Sequence, residues 1–76
     1  MTKRELEEKL NASNIDRLAY DLNGGFPNEA YCMEEIGGKW VTYYSERGQR
    51  TSLKEFETEQ EACQYFLDWL RNTFNI

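Results

Sequence analysis

Two adjacent glycines, Gly37 and Gly38, separate two β-rich runs, AYCMEEI over Ala30–Ile36 and KWVTYYSE over Lys39–Glu46. A two-residue Gly-Gly connection between such runs is a β-hairpin signal, because glycine reaches the positive φ values that type I′ and II′ turns require. A hairpin closed at that point has a determined register. Ile36 faces Lys39, Glu35 faces Trp40, Met33 faces Thr42 and Tyr31 faces Tyr44. Side chains alternate between faces along a strand. One face then carries Tyr31, Met33, Trp40 and Tyr44, and the other carries Cys32, Val41 and Tyr43. Cross-strand aromatic pairs of this kind each contribute about 0.2–1 kcal/mol.

The rest of the chain is built around this hairpin. Arg47, Gly48 and Gln49 form a turn into a third strand over residues 51–56. Thr58, with Glu61 three residues later, makes a capping box that opens a helix. Ala62, Cys63, Phe66, Trp69, Leu70 and Phe74 then recur at helical spacing, and Tyr65 and Leu67 widen the stripe. This C-terminal helix is the expected main partner of the sheet. A second capping box, Thr2 with Glu5, opens a helix over residues 2–11. Its apolar stripe is only Leu6 and Leu10, which predicts a mostly solvated helix that docks lightly. Residues 15–22 fit two patterns: Ile15, Leu18, Ala19 and Leu22 at helical spacing, or Leu18, Tyr20 and Leu22 alternating as in a strand. The Asn-Gly-Gly that follows favours a short strand over 19–22. Residues 24–28 (GGFPN) read as a connecting loop, since Gly permits positive φ and Pro27 biases Phe26 to extended conformations. A phosphate cradle would need a helix N-terminus and a lysine behind it, and Glu29 and a β-run follow instead. The expected fold is α+β, in the order α-β-β-β-α: a three- to four-stranded antiparallel β-meander packed against a C-terminal helix, with an N-terminal helix.

Seventy-six residues allow one domain and one core. A chain this short buries only about 60% of the surface its unfolded form exposes, and four Phe, five Tyr and two Trp help such a core reach stability. The net charge is −5, from 14 acids and 9 bases. That balance serves solubility, or it attracts a basic partner and repels phosphate backbones. Cys32 and Cys63 each lie in an apolar run; as a lone pair they read as reduced core residues in preference to a disulfide. The N-terminal MTKRELEEKL has no apolar signal-like stretch, and no run approaches a membrane span. A cytoplasmic protein is expected, monomeric in preference to dimeric, with no membrane partner.

Catalysis is not expected. Without histidine there is no Ser-His or Cys-His couple and no imidazole metal ligand. The cysteines lack the CxxC spacing of a zinc site, so neither metal nor cofactor is anticipated. Glu34 and Glu35 are strand neighbours that point to opposite faces. Glu59 and Glu61 lie in a first helical turn, where acids suit the helix dipole. Double-stranded-RNA-binding domains share the order helix, meander, helix. They need basic residues at the start of the second helix, where this chain reads TEQEAC; nucleic acid is therefore set aside.

The stretch DLNGGFPNEAYCMEE…GGKWVTYYSERGQRTSLKEFETEQEACQYFLDWL resembles a family of small bacterial immunity proteins. These are found beside polymorphic or contact-dependent toxins, chiefly in Bacillus-type organisms. The resemblance is carried by GGFPNEAYC, KWVTYYSERG and FETEQEACQYF, within residues 20–70. It implies a non-catalytic inhibitor that binds a cognate toxin domain, of which many are nucleases with basic active-site surfaces. Asn28 and Glu29 are candidate contacts at the loop-to-strand joint. Glu34 and Glu35 near the hairpin tip are the electrostatic candidates, and Tyr43 or Tyr44, whichever faces away from the helix, is the aromatic one. Glu46 and Arg47 adjoin at a strand end; Arg47 either reaches a partner carboxylate or pairs with Glu29. The sheet face left free by the C-terminal helix is the expected docking surface, unless the N-terminal helix covers it. The alternative reading is a small prophage-type regulatory or adaptor protein that binds a host protein.

Overall fold

A computed structural model describes residues 1–23 and 29–75. Helix α1 (Lys3–Ala12) is followed by a short 3-10 turn (Arg17–Ala19), strands β1 (Tyr20–Asp21), β2 (Ala30–Ile36), β3 (Lys39–Glu46) and β4 (Gln49–Phe56), and helix α2 (Glu59–Phe74). The four strands form one sheet in the order β1-β2-β3-β4. The architecture is the expected α+β arrangement with one strand more than the minimal meander.

The β2–β3 hairpin has the register read from the glycine pair: Ile36 opposite Lys39, Met33 opposite Thr42 and Tyr31 opposite Tyr44. Gly37 and Gly38 have φ values of 57° and 84°. Positive φ at both central positions is the type I′ form, whose twist matches that of the flanking strands. In β4 the pairing slips by one residue. Thr42 pairs with Lys54 and Tyr44 with Thr51, so Ser52 and Leu53 together span the position opposite Tyr43. Ser52 adopts φ 56°, the left-handed conformation of a β-bulge.

The sheet is not wholly antiparallel. β1 runs parallel to β2, with Tyr20 opposite Tyr31 and Asp21 opposite Cys32. A parallel neighbour requires the chain to return along the strand before pairing. With only two residues in β1, that return is short, about 7 Å at the usual rise per residue. Asp16 starts the 3-10 turn by accepting the Leu18 N–H at 2.9 Å. Asp21 ends β1 in an Asx-turn, accepting the Asn23 N–H at 2.8 Å. The strand reading of this segment therefore holds over two residues, and Leu18, placed in both apolar patterns, is 85% exposed.

Both helices lie on one side of the sheet. The main core joins Leu6 and Leu10 of α1, Ile15, Tyr20 and Leu22, Met33 of β2, and Ala62, Cys63, Phe66, Leu67 and Leu70 of α2. The light docking expected of α1 is corrected here. Both its leucines are fully buried, and the backbone N–H of Lys3 donates to the Glu59 carboxylate at 2.8 Å, tying the two helix starts together. Tyr20 adds a bond from its hydroxyl to Asn11 Oδ1 at 2.9 Å. The capping box at Thr2 is complete in both directions. At Thr58 the hydroxyl accepts the Glu61 N–H and donates to the Glu61 carboxylate. A second small cluster, Ala30, Cys32, Val41 and Tyr43, occupies the opposite face of the sheet.

Candidate functional site

The helix-free face was the expected docking surface, and its central residues are closed to a partner. Tyr43 is the tyrosine that points away from α2, yet it is fully buried. Its hydroxyl donates to Glu34 Oε1 at 2.6 Å. Arg50 reaches across from β4, its guanidinium 4.8 Å from the Tyr43 ring centre and 3.1 Å from the same Glu34 oxygen. Burial first, and then the bond to Glu34, hold the Tyr43 phenol well above its ordinary range. Glu34 is four-fifths buried, so its charge is neutralised inside the fold and is not offered at the hairpin tip. The reading of Tyr43 as an anchor and Glu34 as a steering charge is corrected accordingly. The signal missed in the sequence was Arg50, which lies two strands from Glu34 and meets it only across the Tyr43 ring.

The other candidates fall in separate places. Glu35 is exposed opposite Trp40, near the Gly37-Gly38 turn. Glu29, Glu46 and Arg47 are exposed at the other end of the hairpin, with Arg47 in the left-handed region at φ 49°. Tyr44 is half-buried on the helix side, its ring 4.7 Å from that of Tyr31. Asn28, with the loop over 24–28, lies outside the described residues. The structure thus separates the seven described candidates between the two ends and two faces of the hairpin.

A feature that periodicity did not single out lies on the helix side. Residues of α2 and the sheet join in a chain of ring contacts. Phe56 meets Tyr65 at 5.3 Å, Tyr65 meets Trp69 at 6.0 Å, Trp69 meets Tyr31 edge-on at 4.9 Å, and Tyr31 meets Phe74 at 5.9 Å. Tyr31, Phe56, Tyr65 and Trp69 are half-buried, and Phe74 is 39% exposed. Such rings read as core in a helical stripe, and most of each is. The remainder is open on the flank between α2 and β4, which Met1 also borders. On that flank an open groove of about 760 Å³ is lined by Phe56, Thr58, Glu61, Gln64, Tyr65 and Asp68, among others. A smaller hollow of about 300 Å³ beside the 3-10 turn borders Glu7, Arg17, Leu18 and Asp21.

Both thiols are free and buried, and burial pushes each up to about 11. They are protonated and unreactive at neutral pH, since the thiolate is the nucleophile. Among the described residues, no group of three or more His, Cys, Asp or Glu is placed to hold a metal ion. Among the same residues, no helix is long and apolar enough to cross a membrane. Of the 14 acidic residues only Asp21, Glu34 and Glu59 are half-buried; the others are exposed. Comparison with family models, curated proteins and solved structures finds no match to the chain.

Proposed function

We propose that this chain is an immunity protein, which neutralises a cognate toxin domain by binding it without catalysis. The single observation that carries the reading is where the negative charge sits. A net −5 is displayed almost wholly on exposed carboxylates, beside partly exposed aromatic rings. Exposed charge of one sign speeds encounter with an oppositely charged partner and suppresses wrong ones, and Tyr and Trp are the side chains that interface hot spots favour. The resemblance carried by GGFPNEAYC, KWVTYYSERG and FETEQEACQYF supports the same reading. A basic nuclease domain is the partner that this charge suits. The block is occupancy of the toxin's surface, in the cytoplasm of the producing cell.

The test is co-expression with the product of a neighbouring gene that carries a toxin domain. Growth should be restored, and the two proteins should co-purify as a complex whose association slows as salt rises. Lethality that is unchanged by co-expression would remove the proposal in favour of an adaptor role.

A further inference from the structure

The groove between α2 and β4 has a cation over one of its rings already. Lys54, exposed on β4, holds its ammonium 5.4 Å from the ring centre of Tyr65. Glu61, Tyr65 and Asp68 follow at i, i+4 and i+7 on α2, which puts them on one helix face. The two carboxylates therefore bracket the tyrosine, about 10 Å apart along the helix axis. Both are exposed, and each has one oxygen engaged: Glu61 by the Thr58 hydroxyl at 3.0 Å, Asp68 by the Gln64 amide at 3.1 Å. A carboxylate accepts at both oxygens, so each retains capacity for a second donor. Phe56, tilted against Tyr65, forms the second ring of the wall.

We infer that this groove is where a basic partner protein docks, and that it receives an arginine side chain of that partner. The inference deepens the neutralisation reading by locating its contact surface, and it rests on that reading for the partner's identity. The argument is charge complementarity together with shape. An arginine guanidinium is planar and weakly hydrated, stacks on aromatic faces and pairs with carboxylates in a fork. Tyr65 and Phe56 offer the faces, and Glu61 and Asp68 offer the acceptors on either side. Lys54 occupies the ring in the free protein and leaves it when the arginine enters. Its flexible four-carbon stem makes that displacement easy. The helix-free face offers no equivalent ring, because Tyr43 at its centre is buried and the Glu34 carboxylate beside it is already paired with Arg50.

The probe is the peptide acetyl-Gly-Arg-Gly-amide, titrated into the whole protein and followed by amide chemical shifts. A twin peptide with citrulline in place of arginine serves as the uncharged control. Shifts should concentrate at Phe56 and along residues 58–69, with the citrulline peptide weaker by about threefold or more. Lys54→Gln clears the Tyr65 ring and removes a like charge, and should tighten binding by roughly two- to fivefold. Glu61→Gln with Asp68→Asn should weaken it by at least about threefold with an unchanged dispersed spectrum. Shifts centred on Glu29, Glu35 or Glu46, equal binding of the citrulline peptide, or a Lys54→Gln protein that binds more weakly would each overturn the inference. Failure there leaves restored growth on co-expression as an independent result. Loss of that rescue would remove the toxin as partner while leaving the groove's preference for arginine measured on its own.

Discussion

Arg50, Tyr43 and Glu34 form the one described charge network that is shielded from solvent. Its energetics follow from what each member would leave behind. Arg50→Met removes the cation and strands a carboxylate that is four-fifths buried, a loss of about 1–3 kcal/mol. Glu34→Gln keeps an acceptor for the Tyr43 hydroxyl while removing the charge, and should be milder. The two together should recover part of the Arg50→Met loss, because contacting residues are not additive. Urea midpoints of the four proteins check this; an Arg50→Met protein as stable as the parent would show that the network contributes nothing. The residue scale is also where the sequence was hardest to read. Glu34 and Arg50 are separated by an entire strand and a turn. Arg50 pairs with Ser45 on the turn side of the Ser52 bulge, at a position that a third strand begun at residue 51 leaves out. Alternation correctly put Tyr43 away from α2, but it could not tell a ring facing solvent from a ring beneath an arginine.

At the scale of elements, the strong local signals were readable. The Gly37-Gly38 turn, the hairpin register, both capping residues and the apolar stripe of α2 all have short-range physical causes, so they survive into the fold. What failed was long-range. Two leucines looked like too little to dock α1, yet they complete a core already half built by α2, Ile15 and Leu22. The parallel pairing of β1 has no sequence signature, because two residues show no period. The Gly37 turn admits a clean measurement. A Cβ at this position would meet nothing within 4 Å, so the cost of Gly37→Ala is the left-handed backbone alone. A loss of about 1 kcal/mol is expected from denaturant unfolding. A substitution without effect would mean that the turn does not require positive φ there.

For the whole molecule, stability should fall on the alkaline side. Cys32 and Cys63 are held at about 11 by burial, from ordinary values of 9.0, and Tyr43 is raised in the same direction. Between these limits the unfolded chain has released thiol protons that the folded chain keeps. The unfolded state then binds fewer protons, so the free energy of unfolding declines as pH rises. The contribution is complete below about pH 8. Urea midpoints should hold level from pH 7 to 8 and drop by pH 10, and replacing both cysteines by alanine should flatten that slope relative to the parent; a midpoint that climbs over this interval would refute the linkage. The same two sulfurs lie on opposite sides of the sheet, one in each apolar cluster. With a β-layer standing between them, an intramolecular crosslink would require the chain to come apart first. The folded protein therefore keeps its shape through swings in redox conditions that would reshape a chain with facing thiols.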